Sequence, residues 1–198
     1  MKAVVFDIGN VLVRWDPVAA FEDDLGGRQQ AEAFLRRIDF DARNLRADAG
    51  SSFADLAQEL DDAGDHALLA AYPARFGRTI AETIDGSWAL LDRLAGAGLE
   101  IHAITNWSAE TWPEGAAVHP RLGTAFGTVI VSGELGMVKP DPAIFEFFCQ
   151  HTGLAPQDCL FIDDKEENCA AAMRVGMQAE IFTAPDALEA ALQRRGLL

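Results

Sequence analysis

Apolar positions along this chain come in two textures, and the boundaries between them divide it. Ala3, Val4, Val5 and Phe6 form an uninterrupted apolar run that stops on Asp7. A run without polar alternation predicts a strand covered on both faces, as in a parallel sheet packed between helices. Similar runs recur at Leu99 to Thr105, Thr128 to Ser132, Cys159 to Ile162 and Ala179 to Thr183. Between them apolar residues repeat at helical spacing. Trp88, Leu91, Leu94 and Ala95 precede Gly96 and Gly98, and Ile144, Phe147 and Phe148 lie between an Asp141–Pro142 start and Gly153. Asn168 to Val175 is closed by Gly176, and Asp186 with Glu189 opens a last helix. Strand and helix in alternation predict an α/β fold, a doubly wound, Rossmann-like parallel sheet with helices on both faces.

The second texture fills residues 16–86, where no strand pattern occurs. Asp16 and Pro17 make a helix start; Ala31, Phe34, Leu35 and Ile38 share one helical face; Ser52 and Asp55 form a capping box. Asp65 is placed to cap a short helix through Leu68, Leu69 and Tyr72, and Phe76, Ile80 and Ile84 continue the pattern. The chain is therefore expected to comprise an α/β core, residues 1–15 and 87–198, with a small all-helical domain, residues 16–86, inserted after the first strand.

Charge narrows the range of partners. The 198 residues carry 31 acidic and 16 basic side chains, a formal charge of −15. Such a chain repels nucleic acid and anionic membranes, so neither is expected as a partner, and an anionic substrate needs a local positive site. No stretch has the length of a membrane span and no secretory signal is evident, which makes the cytoplasm the expected location. Cys149, Cys159 and Cys169 lack metal-ligand spacing and are read as reduced thiols. Nothing in the sequence reads out an oligomeric state.

Right-handed crossovers bring the carboxyl ends of parallel strands to one edge, where such sheets hold their ligands. The residues collected there are Asp7, Thr105 with Asn106, and Asp163 with Asp164, while Lys139 follows the third strand. Each has a plain alternative as a helix cap, an acidic first turn or a solvated lysine. Gly9 and Asn10 tolerate unusual backbone angles, so the chain can turn over Asp7 and direct amide groups at a ligand. Clustered carboxylates repel by about 4 kcal/mol per pair at 4 Å and an effective dielectric near 20, so the site needs positive charge. Oxygen-only ligands suit Mg²⁺, and Lys139 adds one further charge.

The segments FDIGNVLV, AITNWS, GMVKPDPAIFE and FIDDKEEN, in this order, resemble the four motifs of the haloacid dehalogenase (HAD) superfamily, most of whose members are phosphatases. The position of the helical insertion resembles a family cap, which closes over the carboxyl edge of the sheet and opens to admit substrate. The resemblance implies that Asp7 is the nucleophile and becomes an aspartyl phosphate. It also implies that Asp7, the Gly9 carbonyl and Asp164 bind magnesium, with Asp163 as a ligand or its supporting partner. Thr105 would hydrogen-bond a phosphoryl oxygen through its hydroxyl, helped by the amide of Asn106, and Lys139 would neutralise Asp7 and the transferring group. The implied reaction is magnesium-dependent hydrolysis of a small phosphorylated metabolite.

One departure stands out. Family phosphatases usually carry a second aspartate two residues after the nucleophile, as general acid and base, and this chain has Gly9 there. That leaves a substrate with a good leaving group, a proton carrier supplied by the cap or flap, or low activity; Asp16 is the one named substitute, beside its plainer role as a helix cap. Two other functions compete. A 2-haloacid dehalogenase needs no metal and usually shows tyrosine, threonine, serine and asparagine where Gly9, Val11, Asp163 and Lys165 stand. Arg36 or Arg37 would then bind a carboxylate or halide. A catalytically weak phosphate-binding protein is the other, although retention of Asp7, Lys139, Asp163 and Asp164 without a metal would cost stability. Trp15, Trp107 and Trp112 are candidates for a pocket wall, and Phe40, Arg43 and Arg46 for substrate readers. His102 and His119 have no visible ligand partners.

Overall fold

The computed structural model describes residues 1–198. Five strands, β1 (Ala3–Phe6), β2 (Glu100–Thr105), β3 (Val129–Val131), β4 (Cys159–Asp163) and β5 (Gln178–Ile181), form one parallel sheet in the order β3-β2-β1-β4-β5. β1 lies at the centre, with Phe6 in register with Ala103 of β2 and Ile162 of β4. One residue further on, Asp7 is level with Asp163, and its N–H donates to the Ile162 carbonyl at 2.8 Å.

The period-2 geometry of a strand explains why the apolar runs lack polar alternation. Val4, Phe6, Leu160 and Ile162 face one layer, and Ala3, Val5, Cys159 and Phe161 the other, all fully buried. The second layer is covered by the helix Pro142–Thr152 through Ile144, Phe145 and Phe148. Over the first lie the helices Asp85–Gly96 and Pro185–Arg194 through Leu91, Leu94, Leu188 and Leu192. Between Pro17 and Ile80 the chain is built from α- and 3₁₀-helices alone. Their apolar side chains join the same cluster as Val4 and Phe6. At its heart Tyr72 packs against Phe21, Phe40, Phe53 and Phe76, with ring centroids between 4.9 and 5.8 Å apart. The chain enters and leaves this helical stretch side by side: Arg14 N–H donates to Glu82 and Ile84 N–H to Leu12, at 2.9 and 2.8 Å.

Several expected boundaries move. The last strand is Gln178–Ile181 rather than 179–183, and Thr183 lies outside it. Asp62, not Asp65, caps the helix Ala63–Ala70 by accepting from the Gly64 and Asp65 amides at 2.9 Å. Asp65 instead pairs with Arg37 at 2.6 Å, an arrangement that local sequence does not announce. The final helix begins at Pro185, so Asp186 sits in its first turn. The helix Trp112–Val118 escapes a propensity reading because it contains Pro113 and Gly115. Gly115 is there for space, since a Cβ would lie 2.5 Å from the Trp107 ring. All three cysteines are buried and unpaired.

Gly133 matters for the same reason. A Cβ there would meet Ala109 N at 2.5 Å and Trp107 O at 2.8 Å, both backbone atoms of the loop that follows β2. Gly133→Ala is expected to destabilise the protein by about 1–3 kcal/mol through overpacking, read as a lower urea midpoint.

Candidate active site

Asp7 directly follows β1, at 7% exposure. Its Oδ1 accepts from the Ile8 amide at 2.7 Å and from Lys139 Nζ at 2.8 Å. The same ammonium donates to Asp163 Oδ2 at 2.7 Å, so Lys139, 2% exposed, bridges two strand-end carboxylates. Asn106 fixes the main chain of Lys139 from both sides. Its Oδ1 accepts from Lys139 N–H at 2.8 Å and its Nδ2 donates to Lys139 O at 2.9 Å. The Asn106 side chain is thus engaged in holding the lysine, a task beside the phosphoryl contact expected of its amide. Asp163, fully buried, also accepts from the Lys165 amide at 2.8 Å and from Asn168 Nδ2, 3.0 Å from each oxygen.

The carboxylates of Asp7, Asp163 and Asp164 offer oxygens within 4.8 Å of one another. Burial pushes the Asp7 carboxyl up to about 7; Lys139 opposes that shift and the Asp163 charge adds to it. Burial also raises Asp164, again reinforced by Asp163. For Lys139 burial disfavours the charge, but Asp7 and Asp163 outweigh it and hold the ammonium above its usual range. Three carboxylates against one buried ammonium leave two negative charges, the complement of a divalent cation, and all the donor atoms are oxygens. The residues therefore fit magnesium.

The turn after β1 is compact: the amides of Leu12 and Val13 both reach the Ile8 carbonyl, at 2.8 and 3.1 Å. The left-handed residue in it is Asn10, at φ +57°, not Gly9. Asn10 Oδ1 accepts from Trp15 N–H at 3.1 Å. No heavy atom lies within 4 Å of a Cβ built on Gly9, so neither backbone angle nor crowding requires glycine there.

A cavity of about 490 Å³ opens over these residues. Of the expected site residues, Asp7, Gly9, Asn10, Asn106, Lys139 and Asp164 line it. Thr105, buried at the end of β2, and Asp163, behind Lys139, do not. Trp15 and Trp107 form part of the wall, whereas Trp112 packs edge-on against Trp107 at 5.3 Å. The helix Phe40–Asp48 contributes Asp41, Asn44, Leu45 and Asp48, residues on one face at i, i+3, i+4 and i+7. Its other members, expected to read substrate, turn elsewhere. Phe40 is in the aromatic cluster, Arg46 pairs with Glu59 at 2.6 Å, and Arg43 donates to the Ile38 carbonyl. Asp16 caps the first 3₁₀ helix and pairs with Arg28 at 2.6 Å, away from the cavity. No arginine lines the cavity; Arg37 is held by Asp65, and Arg36 lies 4.0 Å from Glu32. His119 Nε2 bonds the Ile80 carbonyl, and His102 is buried.

Asp48, Lys165 and Asn168 line the cavity as well, and sequence reasoning had assigned them no site role. The available signal for Asp48 was the polar helical face it shares with Asp41 and Asn44. For Asn168 the sequence offered only its place in the first turn of a helix; its burial is visible in the fold alone.

The chain is similar to known proteins in sequence and in fold. A flavin mononucleotide hydrolase of Arabidopsis thaliana is 33% identical over 114 residues, 58% of this chain and 46% of that protein, so the match spans less than half of the relative. A sesquiterpene phosphatase of Aspergillus oryzae is 26% identical over 200 residues, covering 100% of this chain and 96% of the relative. In fold, the chain is similar to a HAD family enzyme of Bacteroides thetaiotaomicron in complex with magnesium and inorganic phosphate, with TM-score 0.71, 21% identity and coverage of 93% and 95%. It is also similar to the L-2-haloacid dehalogenase of Xanthobacter autotrophicus, with TM-score 0.67, 20% identity and coverage of 100% and 84%. The family of haloacid dehalogenase-like hydrolases matches residues 1–176, and the chain is a member of that family, a hydrolase.

Proposed function

We propose that this hydrolase is a magnesium-dependent phosphatase that cleaves a small phosphomonoester through an aspartyl phosphate on Asp7. The observation that carries this reading is the Asp7–Lys139–Asp163 array with Asp164 beside it: a carboxylate held at a cavity, two negative charges in excess, in an all-oxygen donor set. Asp7, Asp164 and the Gly9 carbonyl would hold the metal, with Asp163 as the buried partner behind them. When bound, magnesium supplies charge neutralisation for the phosphoryl oxygens.

The chain's own residues do the rest. An Asp7 oxygen attacks phosphorus, and the bond to the leaving oxygen breaks with its electron pair on that oxygen. Lys139, fixed by Asn106 and Asp163, compensates charge as it passes from Asp7 to the phosphoryl group. Asn106, at the cavity wall just after β2, holds a phosphoryl oxygen through its main-chain amide, with Thr105 buried beside it. Such alignment and compensation are most of what phosphoryl transfer requires. Residues 16–86 act as the cap that selects substrate, through the face of the helix Phe40–Asp48. The phosphatase names of relatives support this reading, as does the absence of an arginine from the cavity that would seat a haloacid carboxylate. Retention of Asp7, Lys139, Asp163 and Asp164 together supports a working site over a weak phosphate binder. The substrate is a small phosphorylated metabolite, met in the cytoplasm.

Phosphate release from p-nitrophenyl phosphate is expected with Mg²⁺ and should vanish on addition of EDTA, returning with excess Mg²⁺. Halide release from 2-chloropropionate in EDTA would establish the dehalogenase in its place.

A further inference from the structure

An alkyl phosphate cannot lose its alcohol readily unless a proton reaches the leaving oxygen, and Gly9 offers none. Among the acidic and basic groups lining the cavity, Lys139 is locked between Asp7 and Asp163, Asp164 belongs with the metal-holding set, and Asp41 and Lys165 are open to solvent. Asp16 is committed to its cap and to Arg28. Asp48 differs from all of them. It lines the cavity yet is only 7% exposed, and unlike Asp7 it has no ion-pair partner. Its placement is fixed. The Ser132 hydroxyl donates to its backbone carbonyl at 2.6 Å, and Asn44 Nδ2 donates to its Oδ2 at 3.0 Å.

We propose that Asp48, on the helix Phe40–Asp48, is the general acid for the leaving alcohol and the general base for the attacking water, in place of the aspartate that Gly9 replaces. This rests on the phosphatase reading above. In the first step Asp7 bonds to phosphorus, the phosphorus–oxygen bond to the alcohol breaks, and the Asp48 carboxyl gives its proton to that oxygen. In the second, the Asp48 carboxylate takes a proton from water as its oxygen attacks phosphorus. The bond to Asp7 then breaks, leaving inorganic phosphate, a free Asp7 carboxylate and a protonated Asp48.

Electrostatics suit both halves. Burial pushes the Asp48 carboxyl up to about 7 and the negative charge of Asp7 adds to this, while Lys165, the Ser108 amide and Lys139 pull it down. A group titrating near neutrality can both donate and accept a proton at working pH. A bound cation and the substrate's phosphate dianion act on it in opposite directions.

The test is Asp48→Asn, isosteric with the protonated acid, assayed with Mg²⁺ on two substrates. p-Nitrophenolate leaves without a proton, whereas glycerol from glycerol phosphate needs one. For glycerol phosphate kcat/KM should fall by about 10²–10⁴-fold, the usual worth of general acid–base help. For p-nitrophenyl phosphate the loss should be under about tenfold, and the wild-type decline in kcat/KM above about pH 7 on glycerol phosphate should disappear. Gly9→Asp added to Asp48→Asn should restore glycerol phosphate turnover, since the space at Gly9 is open. Equal losses on the two substrates, or an unchanged basic limb, would overturn the assignment while leaving the phosphatase standing. The wild type supplies an arm that does not depend on the variant folding: a steep fall in kcat/KM as the leaving alcohol becomes more basic would exclude any proton donor. Absence of magnesium-dependent turnover on every ester would instead remove the phosphatase reading and this one with it.

Discussion

Asp7→Asn is expected to lower magnesium-dependent phosphate release by about 10⁴-fold or more, the scale on which loss of a covalent nucleophile is felt. The substitution removes little else. Asparagine matches the carboxylate in shape, and its oxygen can still accept from the Ile8 amide and Lys139, which reach Asp7 Oδ1 at 2.7 and 2.8 Å. What it lacks is a nucleophilic anion. The fold should also lose little. Because the folded carboxyl titrates at about 7 against an ordinary 3.8, its contribution to stability is complete below 3.8 and is lost as pH rises through about 7. Above that pH the ionised Asp7 is a cost, so the variant should melt no lower than wild type at pH 8. Trapping wild type with substrate and finding a phosphoryl group on the peptide that contains Asp7, absent from the variant, checks the chemistry. Undiminished turnover by Asp7→Asn would defeat the covalent mechanism outright.

Lys139→Met should have the largest effect on stability. The side chain is 2% exposed and its ammonium is the one cation paired with both Asp7 and Asp163. Removing one member of a buried ionic group while leaving the others typically costs about 3–5 kcal/mol. The deficit should shrink at acidic pH, where protonation of Asp7 removes one of the opposed charges, and should shrink again when Mg²⁺ is added at pH 8. Urea denaturation at two pH values, with and without Mg²⁺, reads all of this. Activity should fall with stability, by about 10²–10³-fold, even where the variant is kept folded, because the charge facing the transferring group is gone. A variant equally stable at both pH values would show that the lysine does not compensate these carboxylates.

The sequence announced most of what sits on the sheet and little of what reaches it from elsewhere. β1 was legible because a strand buried on both faces needs an unbroken apolar run, and Asp7 because it joins the other strand-end residues at one edge, where a helix cap alone would be the plainer reading. Lys139, Asp163 and Asp164 became legible by topology, since parallel strands share one edge. Asp48 was not. Its helical face can be listed from residue spacing, but spacing does not say which polar face of an inserted helix meets a cavity and which meets water. The same limit applies to Arg43 and Arg46, which look available in sequence and are occupied in the fold. Asp62 and Asp65 illustrate a smaller ambiguity. Both can start a helix, and the choice depends on Arg37, which lies 28 residues before Asp65.

One apolar cluster runs from Val4 and Phe6 through Phe21, Phe34 and Tyr72, without a seam between the sheet and the inserted helices. Parting the sheet from the inserted helices would uncover apolar contacts such as Phe76 on Trp107, whose ring centroids lie 5.1 Å apart, at about 1.5–3 kcal/mol for each large side chain exposed. Yielding at the rim of the cavity, where Asn10 and Asp41 already face water, costs less than that. A molecule too bulky to pass that rim is refused before any chemistry can judge it.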